Sequence, residues 1–162
     1  MVENDSSKTG VLLISHGSRL PYGKEVINTL ADMYRKTTDY KVGVGYMEIA
    51  QPDIATAIDN LVEGTEINKI IAVPVFLAHG VHTKRDIPTI LRLPVEEIDK
   101  PEKNSNKEGH NHHNHGHGHS HKHSHSHDIK KVNFDGKIVY TEPLGADSLI
   151  LEIIKNRVNT AE

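Results

Sequence analysis

Of the 13 histidines in this 162-residue chain, ten crowd between His110 and His127. The other three, His16, His79 and His82, fall in two short glycine-containing segments. The first reads Ser15-His16-Gly17-Ser18-Arg19, and the second Leu77-Ala78-His79-Gly80-Val81-His82-Thr83-Lys84-Arg85-Asp86. Neutral imidazole holds Ni²⁺, Co²⁺, Cu²⁺ and Zn²⁺ reversibly, and with a free pKa of ~6.5 it also accepts a proton near cell pH. Two imidazoles converging from neighbouring loops would share an ion or flank a substrate, with Ser18 and turn amides as further donors. Each feature also has a plainer reading. A lone histidine at a strand end is commonly a hydrogen-bonded structural residue, glycine serves tight turns, and Lys84 with Arg85 is an ordinary solvated pair. The concentration of all three histidines in two loops favours the joint reading.

What is missing narrows the chemistry. There is no cysteine, which excludes disulfides, thiolate zinc sites and cysteine nucleophiles and suits a reducing compartment. No G-x-x-x-x-G-K-[ST] loop, G-x-G-x-x-G fingerprint or G-x-S-x-G elbow occurs. The His16-Gly17 pair resembles the Arg-His-Gly start of histidine phosphatases, but Ser15 stands where the bidentate phosphate clamp needs arginine. Lys and Arg number 19 against 22 Asp and Glu, a formal charge of −3, so no strong field points to nucleic acid or an anionic membrane. The polar opening MVENDSSKTG is no signal peptide, and the short apolar runs fall well below the ~20 residues that span a bilayer. The expectation is a cytoplasmic protein with neither nucleic acid nor membrane among its partners.

The elements that must position the two loops are regular. At 36% apolar and 25% charged, the chain reads as one globular domain over residues 1–162. Residues 11–15 (VLLIS) form a continuous apolar run, as in a strand covered on both faces. Val26, Ile27, Leu30, Met33 and Tyr34 mark one face of a helix. Residues 41–47 (KVGVGYM) read as a strand weakened by glycine, acceptable at a sheet edge or beneath a closely approaching neighbour. Pro52 suits the first turn of a helix striped by Ile54, Ile58, Leu61 and Val62. Residues 69–76 (KIIAVPVF) give a third strand whose pairing should stop near Pro74, which donates no ladder hydrogen bond. A short helical piece near 87–93, a strand at 137–141 and a final helix follow. Asp147 would cap that helix, with Ile150, Ile153, Ile154 and Val158 on its buried face. Alternating strands and helices imply an α/β fold, a four-stranded parallel sheet in the order 2-1-3-4 with helices on both faces. Ligands bind such sheets beyond the strand carboxyl ends at the switch point between the first and third strands, where both histidine loops emerge.

Residues 101–131 (PEKNSNKEGHNHHNHGHGHSHKHSHSHDIKK) hold one isoleucine and no other large apolar side chain. They cannot bury enough surface to offset the entropy of ordering, and read as a disordered, histidine-rich insertion. A purification tag is the bland alternative, although tags are usually terminal and uninterrupted. The composition predicts reversible binding of nickel, cobalt, copper or zinc.

Four segments, LLISHGSRLPYGKE, GYMEIAQPDI, VPVFLAHGVHTKRDIP and EPLGAD, together resemble the short class II tetrapyrrole chelatases. The resemblance is close to archaeal sirohydrochlorin cobalt/nickel chelatases, spans nearly all of the folded chain, and is most specific in the third segment. It implies a chelatase-like (flavodoxin-like) half-unit that pairs as a homodimer and inserts Ni²⁺ or Co²⁺ into sirohydrochlorin without ATP. The product would serve the nickel tetrapyrrole coenzyme of methanogenesis, cobalamin biosynthesis, or both. No permanently bound cofactor is implied, since the ion is itself a substrate. By resemblance, His16 is the catalytic residue and a metal ligand, and His82 is the second ligand. The substrate-binding residues are then Gln51, Leu77, Ala78, His79, Gly80, Val81 and His82, with Ser18, Glu48 and Arg85 as weaker candidates. Gln51 stands where the family often has glutamate. Arg19, Lys84 and Arg85 are plausible partners for the substrate's carboxylates. A non-catalytic nickel/cobalt storage protein or metallochaperone is the alternative; it accounts for the histidine tract but not for the loops around His16 and His82. A ferrochelatase would share those loops. If the tract is an auxiliary reservoir, deleting residues 109–128 should leave insertion intact at saturating metal and slow it only when metal is scarce, which a metal titration of the insertion rate would show.

Overall fold

The structure is a computed structural model describing residues 4–95, 97 and 129–161. Its element order is β1 (Thr9–Ser15), α1 (Pro21–Arg35), β2 (Lys41–Tyr46), α2 (Ile54–Val62), β3 (Lys69–Pro74), α3 (Ile87–Ile90), β4 (Lys137–Tyr140) and α4 (Ser148–Asn159). A π-helical turn over His82–Asp86 leads directly into α3. The four strands pair in the order β2-β1-β3-β4, every pair parallel, as the alternation of apolar runs and helical stripes predicts. β1 is buried along most of its length because it is hydrogen-bonded on both sides and covered on both faces.

Two cores flank the sheet. On one face Leu12, Ile14, Ile70 and Ala72 meet Ile54, Ile58 and Leu61 of α2 and Ile87 and Ile90 of α3. Burying each of these larger side chains contributes on the order of 1.5–3 kcal/mol, which fixes α2 firmly. Asp53 starts that helix, its carboxylate accepting from Thr56 N at 2.7 Å; Pro52 therefore sits just before the helix rather than in its first turn. The other face packs Val11, Val42, Val44 and Tyr46 under Ile27 and Ala31 of α1. β2 is an edge strand, and its Gly45 lies beneath α2, where an added Cβ would come within 3.1 Å of the Ile54 Cα. Both tolerances anticipated for a glycine-bearing strand are thus in use.

Two helices leave much of their apolar stripes exposed. In α1 only Ile27 and Ala31 are buried, and Val26, Leu30, Met33 and Tyr34 are exposed. In α4 no residue is buried, and Ile153 and Ile154 are half in solvent, with Val158 69% exposed. Among the described residues, the anticipated buried face is therefore left largely uncovered, with Ile150 half-buried and Ile153, Ile154 and Val158 exposed. Apolar spacing marks a face but not what covers it.

Of the histidine-rich insertion expected at 101–131, the stretch 101–128 lies outside the described residues. Residues 129–131 have no regular secondary structure, and Lys130 Nζ lies 3.3 Å from Asp59 Oδ2. Just beyond them, Val132 is buried and its N–H donates to Ile90 O at 3.0 Å, while Arg92 Nε donates back to Val132 O at 2.8 Å. No helix among the described residues is long and apolar enough to cross a membrane.

Candidate active site

The carboxyl ends of β1 and β3 adjoin, so the loops leaving them rise side by side. Pro74 cannot donate to the ladder, and pairing ends with the Val75 N–H donating to Ile14 O at 2.8 Å. His16 directly follows β1, and His82 opens the π-helical turn after β3. Their rings meet edge to face with centroids 4.9 Å apart and planes at 66°. Both side chains are partly exposed at 44%, so the pair is open to solvent. Among the described residues, no three His, Cys, Asp or Glu side chains form a ready-made metal cage.

A third loop locks His16 in place. Met47 N and Glu48 N donate to Ser15 O and His16 O at 3.0 and 3.2 Å. Gly17 has φ +96°, and a Cβ there would lie 1.9 Å from the Glu48 carbonyl oxygen, so only glycine permits this approach. The closeness brings Glu48 Oε1 within 3.2 Å of His16 Nε2, while His16 Nδ1 lies 2.8 Å from Gly17 O. A carbonyl only accepts, so Nδ1 carries a hydrogen and Nε2 is the atom facing the Glu48 carboxylate. Only a proton or a cation makes that second contact favourable.

His82 Nδ1 lies 2.9 Å from Asp86 Oδ2, and Asp86 Oδ1 accepts from Arg85 Nε at 2.8 Å. Burial works to raise the Asp86 carboxyl, but the hydrogen bonds from Arg85 and His82 outweigh it and hold the group below the ordinary carboxylate range. The buried Thr83 fastens the same loop, its hydroxyl accepting from Gly80 N at 2.8 Å. Tyr140 Oη donates to Thr83 O at 2.8 Å from the end of β4. Burial first, and then the charge of Glu142, pushes the Tyr140 phenol up to about 12, so it remains a donor throughout the physiological range.

The remaining sequence candidates are more scattered. His79 turns toward β4, where Nε2 contacts Glu142 and Nδ1 lies 3.2 Å from Thr83 Oγ1. That places it in a cleft of about 140 Å³ lined also by Lys84 and Tyr140, rather than on the His16–His82 pair. Leu77, Ala78, Gly80 and Val81 form the exposed rim of the β3 loop. Gln51 is exposed, its side-chain oxygen accepting from Asp53 N at 3.3 Å. Ser18 Oγ accepts from Leu20 N at 3.1 Å near the start of α1, and Arg85 is held by Asp86. Three contributors escaped the sequence reading as site residues: Asp86, Tyr140 and Glu142. Asp86 had a usable signal, since i to i+4 spacing places it beside His82 on a helical turn.

The fold is thus a four-stranded parallel α/β unit with a pair of partly exposed imidazoles at its switch point. The CbiX family model matches residues 10–161, and the chain belongs to that family of small class II chelatases. It is 55% identical over 158 residues to a sirohydrochlorin cobaltochelatase of Methanothermobacter thermautotrophicus, covering 98% of this chain and 96% of the relative. It is 46% identical over 152 residues to a sirohydrochlorin cobaltochelatase of Methanopyrus kandleri, covering 93% of this chain and 95% of the relative. Among solved structures, the fold matches the sirohydrochlorin chelatase SirB from Bacillus subtilis subspecies spizizenii in complex with cobalt. That match has a TM-score of 0.62 at 18% identity, over 94% of this chain and 50% of SirB, so this chain spans about half the length of SirB. A CbiX protein of cobalamin (vitamin B12) biosynthesis from Marinobacter aquaeolei VT8 matches with a TM-score of 0.58 at 20% identity, over 93% of this chain and 92% of that one.

Gly17→Ala should separate the His16 loop from the Glu48 loop and destabilise the fold by roughly 1–3 kcal/mol from the positive φ alone. Urea denaturation followed by circular dichroism would show it as a lower midpoint at unchanged slope.

Proposed function

We propose that the protein inserts Co²⁺, and also Ni²⁺, into sirohydrochlorin, without ATP, and that His16 and His82 handle the ion. The observation that carries this reading is the 4.9 Å approach of the two imidazoles beside Glu48. The printed names of the archaeal relatives support cobalt and sirohydrochlorin. Nickel is included because imidazole nitrogens accept both ions.

The donor set suits transfer rather than storage. A free tetrapyrrole must lose two inner N–H protons as the metal enters its four nitrogens. Two partly exposed imidazoles hold the ion more weakly than that macrocycle does, so release is downhill. Glu48 beside His16 supplies an acceptor on the same spot where the ion binds, so a proton and a divalent cation exchange across one pair of atoms. The rim residues 77–82 and Gln51 would seat the macrocycle, and Arg19, Lys84 and Arg85 would meet its carboxylates. The histidine-rich segment would serve as a reservoir.

His16→Ala and His82→Ala should each lower kcat/KM for metal insertion by about 10²-fold or more with the fold intact by circular dichroism. The assay is the absorbance change on anaerobic metallation of sirohydrochlorin, run with Co²⁺ and Ni²⁺ at substoichiometric protein. Full activity in both variants would overturn the residue assignments, and a single turnover per chain would favour a metal carrier over an enzyme.

We also infer a homodimer. The apolar faces of α1 and α4 are exposed among the described residues, and such faces on soluble proteins mark interaction surfaces. SirB, at twice the length, has room for a second unit of this size in one polypeptide. The intact protein should sediment at twice the 18.0 kDa chain mass, and Ile153→Asp combined with Ile154→Asp should leave a folded monomer. A wild-type monomer at micromolar concentration would refute the pairing.

A further inference from the structure

We propose that Asp86 is a positioning residue for His82, fixing the ring so that Nε2 is the nitrogen offered to the incoming metal ion. The inference rests on the reading of His82 as a ligand. A carboxylate only accepts hydrogen bonds, so the 2.9 Å contact between Asp86 Oδ2 and His82 Nδ1 requires the hydrogen to sit on Nδ1. The lone pair of the neutral ring then lies on Nε2, on the opposite edge. A freely rotating histidine would divide its time between two tautomers and several ring orientations; one partner on Nδ1 removes both freedoms.

Asp86 is itself held. Its other oxygen accepts from Arg85 Nε at 2.8 Å, and its side chain is only 25% exposed, compared with 44% for His82. The backbone between them is a wide π turn, closed by the Ile87 N–H reaching back to His82 O. Such turns recur at functional sites because they re-aim one side chain without breaking the helix. Thr83, next to His82, is pinned by Tyr140 from β4. The ring is therefore constrained through its own Nδ1 and through its backbone. His16 follows the same logic by a different partner, its Nδ1 facing the Gly17 carbonyl oxygen at 2.8 Å. Both rings are thus tied through Nδ1. Carboxylates that orient ligating histidines in this way typically matter by 10- to 100-fold in metal affinity or activity.

The test compares Asp86→Ala, Asp86→Asn and His82→Ala in the full-length protein. Asp86→Ala should raise KM for Co²⁺ by ~10- to 100-fold while leaving KM for sirohydrochlorin unchanged. Asp86→Asn retains a side-chain oxygen able to accept from Nδ1, so it should recover most of that loss. Nitrogen-15 NMR of the metal-free protein, with the His82 signals assigned by their loss in His82→Ala, should show hydrogen on Nδ1 in the wild type and a shift toward Nε2 in Asp86→Ala. Should Asp86→Ala not fold, Asp86→Ser, too short to reach the ring, takes its place. A wild-type KM for Co²⁺ and an unchanged tautomer in Asp86→Ala would overturn the proposal, as would an asparagine variant no better than alanine. If His82→Ala itself retains full activity, the ligand reading fails instead, and the NMR result still reports separately on the Asp86 contact.

Discussion

The distance between the two histidines is set by the parallel ladder that joins β1 to β3. Contacts within each loop orient its own ring, through Gly17 for His16 and Asp86 for His82, but they do not bring one loop to the other. The register does: Ile14 lies opposite Pro74, and the residue after each strand end begins a loop on the same side of the sheet. Pro74 marks where the ladder ends, since it has no N–H to donate and the Val75 N–H makes the last bond, to Ile14 O. The second pairing of β1, to β2, adds the Glu48 loop by the same means, with Ser15 opposite Tyr46. A central strand with two parallel neighbours thus gathers three loops, and a small domain has few other ways of bringing together groups so distant in sequence.

Much of this was readable from residue order alone. Continuous apolar runs marked β1 and β3 because strands buried on both faces need no polar alternation, and strand–helix alternation with right-handed crossovers left the observed strand order as the preferred solution. The juxtaposition of His16 with His82 followed from that topology. Other features were hidden for physical reasons. The contact of Tyr140 with Thr83 and that of His79 with Glu142 join residues 57 and 63 positions apart, and no local spacing encodes them. Asp86 stood in the second histidine segment of the sequence but was assigned no role there. The apolar stripes of α1 and α4 were recognised as stripes, but the buried face expected for α4 is not buried by the described residues, because periodicity is silent on what covers a stripe.

Openness and constraint are divided between different parts of the site. The imidazoles face outward, yet the atoms behind them are fixed by Gly17, the Glu48 backbone, Thr83 and the Asp86 carboxylate. A site that must surrender its ion benefits from few donors, and one that must present it in a fixed direction benefits from rigid ones. These demands conflict only if the donors provide their own rigidity. Here the rigidity comes from neighbours that are already hydrogen-bonded to the protein.

The clasp between Val132 and the end of α3 has a separate consequence. It ties the chain on the near side of β4 to Ile90 and Arg92, so whatever is threaded between those points begins and ends at one place on the surface. The entropy of closing such an excursion rises only with the logarithm of its length, about 0.6 kcal/mol per doubling. Additional residues can therefore accumulate or disappear there at almost no cost to the sheet. A lineage could acquire, expand or discard a metal-binding tract at this point without renegotiating the architecture that holds the two histidines.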